Sequence, residues 1–168
     1  EELGHEARAV SDDHAVLRLW LRLLSCTTQL ETEIRRRLRE RFGISLARFD
    51  YLAQLYRHPD GLRMNMLSRY MMVTGGNITG LTDELEKDGL VVREADATDR
   101  RSTRITLTEA GRRALERIAA EHESWLVELF GGVSPAGQEA LYEQLGQLRV
   151  QLARSGPTHP NPAPKEKS

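Results

Sequence analysis

The chain has 168 residues, 39% hydrophobic and 29% charged, with 24 Lys and Arg against 25 Asp and Glu. That length suits one domain with a real core, and no apolar run approaches the length of a membrane span. A net charge of −1 excludes a protein that is basic over its whole surface, and the lone Cys26 excludes an internal disulfide and fits a reducing cytoplasm.

The opening EELGHEARAV shows no secretory signal, so a cytoplasmic location is expected. From Ala15 to about Arg41 the pattern predicts one long helix. Its first half carries Val16, Leu17, Leu19, Trp20, Leu21, Leu23, Leu24 and Cys26 around nearly the whole circumference, more than one buried face requires, so a second subunit is expected there. Farther on, Leu30, Ile34, Leu38 and Phe42 form a single stripe. The basic run Arg35, Arg36, Arg37, Arg39 and Arg41 is largely matched by Glu31, Glu33 and Glu40 at helical spacing. Arg39 and Arg41 have no evident local partner and are candidates for an anionic ligand. Ser45 caps a second predicted helix, Leu46 to about Arg57, with Phe49, Leu52, Ala53 and Tyr56 inward and His58-Pro59-Asp60-Gly61 closing it.

A short third helix is read over Leu62 to Met72, with Met64, Leu67 and Met71 inward, and Val73 to Gly76 form a tight turn. Thr74 is placed as the cap of the next helix, in which Ile78, Leu81 and Leu85 recur at helical spacing and Asn77, Thr79, Asp83, Glu84 and Lys87 face the other way. Gly89 stops it. Leu90 to Arg93 and Arg104 to Thr108 read as paired strands joined by Asp96 to Ser102, which puts Arg100 and Arg101 at a hairpin tip. Two helices across a tight turn followed by a hairpin form a winged helix-turn-helix, a DNA-reading unit. Thr108 then caps a helix through Phe130 bearing Leu115, Ile118, His122, Trp125, Leu126 and Leu129. Gly131 and Gly132 break it, and Ser134 and Pro135 start a last helix with a Leu141, Leu145, Leu148, Leu152 seam. The Pro-rich tail from Ser155 is expected to be disordered.

The wing pattern Asp99, Arg100, Arg101, five residues Ser102 to Thr106, then Leu107 and Thr108, resembles the MarR family of bacterial transcription regulators. So does LTDELEKDGLV from Leu81 to Val91, and the resemblance runs from about Leu17 to Leu152. It implies a mainly α fold with a small β-hairpin wing, a winged helix-turn-helix plus a helical dimerisation region. The expected divisions are an N-terminal dimerisation helix over 1–41, a DNA-binding domain over 42–108, C-terminal dimerisation helices over 109–154 and the tail over 155–168. It also implies that the first and last helices form a two-fold interface, that Arg101 enters the minor groove and that Asp99 steadies the hairpin. A homodimeric regulator, most simply a repressor, on a pseudo-palindromic double-stranded operator is the expected function.

Within that frame Thr74, Gly75, Gly76, Asn77 and Thr79 are expected to contact DNA, because adjacent glycines let backbone N–H groups approach a phosphate or the groove floor. Arg100 and Arg104 are candidate phosphate contacts, with local ion pairs to Asp96 or Glu94 as the other reading. Trp20, Leu24, Leu52, Tyr56, His122 and Trp125 are expected to line an effector pocket suited to a small aromatic acid. The wording VTGGNITGLTDELEKDGLV looks like the subset of the family that controls aromatic acid catabolism, including regulators of hydroxycinnamoyl-CoA thioesters. Arg39 and Arg41 would then meet the coenzyme A phosphates. Cys26 is read as packing in the core or interface. A redox switch through Cys26 and a constitutive DNA binder remain open alternatives. His5, His14, His58, His122 and His159 lack metal-ligand spacing, and neither a nucleophile elbow nor a phosphate loop is seen, so no metal, cofactor, membrane partner or enzymatic activity is expected.

Overall fold

The computed structural model describes residues 14–71, 77–95 and 103–155. The expected turn Val73 to Gly76, the hairpin tip Asp96 to Ser102 and the tail from 156 lie outside these residues. The chain divides into two compact units between Leu126 and Val127. In the first, helix α1 (Ala15–Phe42) buries Ile34 and Leu38, as the downstream stripe requires. It ends at Gly43, whose left-handed φ of 67° lets its N–H reach the Arg39 carbonyl at 3.0 Å. The upstream half of α1 has no such burial: Val16 is 80% exposed and Trp20 54%. Cys26 is also exposed in the single chain, so the core-packing alternative for it does not hold.

Helix α2 (Leu46–Arg57) begins where the Ser45 hydroxyl accepts the Arg48 N–H. Its core direction is centred on Tyr51 and Leu55, with Leu52 beside them. Phe49 and Ala53 are half-buried and pack against the edge of this core, whereas Tyr56 is exposed rather than inward. Sequence reading placed a helix from Leu62, but Leu62–Arg63 is a strand, β1, drawn into a sheet; only from Met64 does helix α3 (Met64–Tyr70) begin. Helix α4 (Ile78–Lys87) is capped by Asn77, whose Oδ1 accepts the Thr79 N–H at 3.1 Å, and not by Thr74, which is outside the described residues. Gly89, at φ +71°, closes α4 as its N–H meets the Glu86 carbonyl and the Leu90 N–H meets Leu85, both at 2.9 Å.

Strands β2 (Val91–Ala95) and β3 (Thr103–Leu107) are antiparallel from Val91↔Leu107 to Ala95↔Thr103, and β1 adds to the free edge of β3 through Leu62↔Ile105. One core joins all of this: Tyr51, Leu52, Leu55, Leu62, Leu67, Leu85, Val91, Ile105 and Leu115. Each such side chain stabilises the fold by about 1.5–3 kcal/mol. Helix α5 (Glu109–Leu129) is anchored at its start by Thr108. The Thr108 hydroxyl donates to the Gly89 carbonyl (2.7 Å) and accepts from the Gly111 N–H (3.0 Å), while its N–H donates to the Leu90 carbonyl (3.0 Å). In the second unit, Ser134 caps helix α6 (Pro135–Ser155) by accepting the Gly137 N–H at 3.2 Å, and Leu141, Leu145, Leu148 and Leu152 stand exposed along it.

Gly111 is buried, and a methyl group there would drive into the Leu90 backbone carbonyl. Gly111→Ala is therefore expected to destabilise the fold by about 1–3 kcal/mol, read as a lower urea midpoint with unchanged slope.

Candidate functional site

Helix α4 is built with two sides. Inward, Leu85 and Thr82 are fully buried. The Thr82 hydroxyl donates to the Ile78 carbonyl at 2.7 Å, which leaves its oxygen to accept the Tyr51 phenol at 2.6 Å. Burial raises the Tyr51 pKa, so the phenol stays protonated and a donor. Outward, Asn77, Thr79, Asp83, Glu84 and Lys87 are exposed. The Asn77 carbonyl oxygen is occupied by its own cap, which leaves the amide NH₂ to face outward chemistry.

Wing strand β2 contributes a residue that sequence reading missed. Arg93 pairs with both Asp83 and Glu86 of α4, and its backbone N–H reaches Glu86 at 3.4 Å. These carboxylates are thus not bare negative charge, and strand β2 is tied to α4. The pairing was legible only as a seven- and ten-residue separation across a turn, which carries no periodic signal. At the base of the wing Arg104 donates to the carbonyls of Asp60 (3.2 Å) and Gly61 (2.9 Å), so its guanidinium braces the β1 turn. Thr74, Gly75, Gly76, Asp99, Arg100 and Arg101 lie outside the described residues. Arg48 similarly ties α2 to the α4 C-terminus through Asp88.

The basic run on α1 forms the expected local pairs: Arg35 with Glu31, Arg37 with Glu33 at 2.6 Å, and Arg36 with both Glu33 and Glu40. Hydrogen bonds from Arg36 and then Arg37 hold the Glu33 carboxyl down to about 2. Arg41 corrects its sequence reading. It has a partner 80 residues away, Glu121 on α5, at 3.0 Å. Arg39 is exposed.

The expected pocket residues separate. Leu52 is in the core, and Trp20 and Leu24 stand exposed on α1. Tyr56 and His122 do converge, in a cavity of about 630 Å³ between the outer face of α2 and α5, with Phe49, Ala53 and Leu115 as its apolar wall. Trp125 lies beside a different hollow, of about 260 Å³, with Arg37, Arg41 and Glu121. The Phe49 and His122 rings are 4.8 Å apart between centroids, and His122 meets Trp125 edge-on at 6.5 Å.

A helix pair ahead of a strand-braced hairpin, with an outward polar face on the second helix, defines a winged helix-turn-helix. A MarR family model matches residues 42–102. An uncharacterized HTH-type transcriptional regulator of Bacillus cereus is 32% identical over 131 residues, covering 77% of this chain and 86% of its own length. The crystal structure of a MarR family transcriptional regulator from Silicibacter pomeroyi shares 37% identity and a TM-score of 0.69, over 86% of this chain and 99% of that one. The structure of S. aureus MepR in complex with DNA shares 25% identity and a TM-score of 0.65, over 84% of this chain and 99% of that one. The chain belongs to the MarR family of DNA-binding transcription regulators, which are not enzymes. Among the described residues no helix is long and apolar enough to cross a membrane.

Burial lowers the His122 pKa below the ordinary imidazole value of 6.5. The unfolded chain therefore takes up this proton more readily than the folded one. The contribution of His122 to stability is complete above about pH 6.5 and declines as pH falls below it. Comparing melting temperatures between pH 7 and pH 5 should show a smaller loss in His122→Phe than in the parent chain. Equal losses would contradict this assignment.

Proposed function

We propose that the chain is a homodimeric, ligand-responsive repressor that acts in the cytoplasm and is released from a pseudo-palindromic operator by a small aromatic effector. The observation that supports it is the double use of α2. One face holds Tyr51 against the recognition helix α4, and the opposite face walls the cavity of about 630 Å³. That volume is within the range of about 300–1,000 Å³ typical of small-molecule sites. An effector that shifts α2 against α5 moves the element to which α4 is bonded.

The exposed apolar half of α1 and the exposed leucine seam of α6 each supply surface for a second copy of the chain, in keeping with the divisions 1–41, 42–108 and 109–154. In such a dimer the two copies of α4 enter major grooves about 34 Å apart, and the wings reach the adjacent minor grooves. Asn77 and Thr79 stand at the exposed start of α4, where Thr74, Gly75 and Gly76 lead into it. Arg101 is the minor-groove arginine and Asp99 its support, with Arg100 on phosphate. Arg104 acts from the base of the wing, given its bonds to Asp60 and Gly61. A differential effector affinity of about 3 kcal/mol for the dimer with mismatched spacing would weaken operator binding roughly a hundredfold. In the acyl-CoA form of this reading only Arg39 is available without cost, because a phosphate on Arg41 must displace Glu121.

Arg101→Ala is expected to weaken operator binding and to flatten its dependence on salt. A salt series in which affinity and slope match the parent would remove Arg101 from the interface. A thermal-shift screen of aromatic compounds and their CoA thioesters, followed by operator release in a mobility-shift assay, tests the response itself. Compounds that raise the melting temperature should release DNA, whereas stabilisation with undiminished operator affinity would favour a constitutive binder.

A further inference from the structure

We infer that the outward face of α3, made by Asn65, Ser68 and Arg69, is a further DNA-contacting surface that grips the phosphate backbone between the two grooves. This rests on the reading above in which α4 enters the major groove and the wing the minor groove, and it adds residues that neither element supplies.

Leu67 is fully buried, and Met64 and Met71 pack with it against the core, which fixes the rotation of α3. At about 100° per residue, Asn65 and Arg69 then stand about 160° from Leu67 on either side, and Ser68 flanks them at about 100°. All three are exposed, and their spacing of three and four residues makes them one patch. Among the described residues none of the three side chains has a hydrogen-bond or ion-pair partner. The arginines of neighbouring elements are committed: Arg48 to Asp88, Arg93 to Asp83 and Glu86, Arg104 to the carbonyls of Asp60 and Gly61. Arg69 keeps its donors for a ligand.

The chemistry of the patch names that ligand. Among the described helices α3 alone has no Asp or Glu, in a chain that carries 25 of them. A guanidinium, a hydroxyl and a carboxamide NH₂ all donate to phosphate oxygen, and no carboxylate on the same helix opposes an anion. Placement agrees with chemistry. At its start α3 continues from β1, whose Arg63 lies opposite Arg104 of wing strand β3. At its other end residues 72–76 lead to Asn77 at the head of α4, and the Met64 Sδ lies 3.4 Å from the Thr82 hydroxyl of α4. The helix therefore stands between the two elements that enter grooves. One sugar-phosphate backbone separates adjacent grooves, and the first helix of such a pair crosses it.

The test uses the full chain, the duplex it selects from a random-sequence library, and a scrambled duplex of equal length, each titrated from about 50 to 200 mM salt. Arg69→Gln is expected to weaken binding to both duplexes by a similar factor, about tenfold at the lowest salt, and to reduce the salt slope by about 1.8, or about 0.9 for each copy in a dimer. Arg69→Lys should restore most of the slope, because an ammonium releases a counterion as well. Asn65→Ala with Ser68→Ala should weaken binding at every salt concentration with the slope unchanged, since neutral donors release none. These positions are exposed, so melting temperatures should match the parent. Thr79→Glu reports on α4 separately: an acid in the first turn suits the helix but repels phosphate in the groove. If Thr79→Glu abolishes binding while Arg69→Gln leaves affinity and slope at parent values, the α3 surface is overturned and the groove reading stands. If Arg69→Gln weakens the selected duplex alone, Arg69 reads bases and the phosphate assignment is overturned. If neither substitution changes binding, the groove reading of α4 fails, and the α3 surface falls with it.

Discussion

The buried hydrogen bond from the Tyr51 phenol to Thr82 is the contact on which the rest of the molecule turns. Both side chains are fully buried, and an unpaired hydroxyl there would cost about 1–3 kcal/mol, so neither can turn away from the other without penalty. The bond fixes the rotation of α4 about its axis, and that rotation decides which side chains point outward. Because Thr82 also returns a bond to Ile78 one turn earlier, the link reaches the first turn of α4, beside Asn77 and Thr79. Arg93 holds the same helix from the wing side through Asp83 and Glu86. The recognition helix is thus gripped from inside by α2 and from outside by β2.

The charge balance of the chain acquires a local meaning from these grips. A total near zero is a poor credential for a DNA-binding protein, and the acidic residues along α4 deepen the difficulty. Pairing resolves much of it. Asp83 and Glu86 share the single positive charge of Arg93, and Asp88 pairs with Arg48, so the negative charge along α4 is reduced, and Glu84 is the acidic residue on its outer face without a charged partner among these. On α1, Arg35, Arg36, Arg37 and Arg41 are similarly spent on Glu31, Glu33, Glu40 and Glu121. Net positive potential for DNA then has to come from few residues, which gives weight to presenting them twice.

Most of the helical framework was legible in the sequence because its signals are local. Ser45, Thr108 and Ser134 each sit where a cap is needed, Gly43 and Gly89 take the left-handed conformation that glycine favours, and the α1 stripe buries where its spacing says. What failed was non-local. Leu62 and Arg63 carry a helical pattern, yet strand β3, more than forty residues on, claims them. Tyr56 fits an apolar stripe with Leu52, but the position of the core puts Tyr51 and Leu55 at the centre instead. Thr82 falls four residues after Ile78, on the inward face, but a polar side chain adds nothing to the apolar stripe that marks that face. Of the candidate effector residues Tyr56 and His122 line one cavity and Trp125 touches only His122 edge-on, since helix faces define directions but not the distance between helices.

The junction at Thr108 carries a consequence for modularity. This one residue bonds to Gly89 and Leu90 at the exit of α4 and to Gly111 in the first turn of α5, while β1 pairs onto β3. The segment that begins at Leu62 and ends at Gly111 is therefore closed on itself at both ends, by the backbone pairing of β1 with β3 and by the hydroxyl and N–H of Thr108. Exchanging DNA preference between relatives by transplanting α4 or the wing alone would sever those bonds. The smallest portable cassette is the whole loop from Leu62 to Gly111, and it must bring with it a counterpart of Tyr51 to dock against.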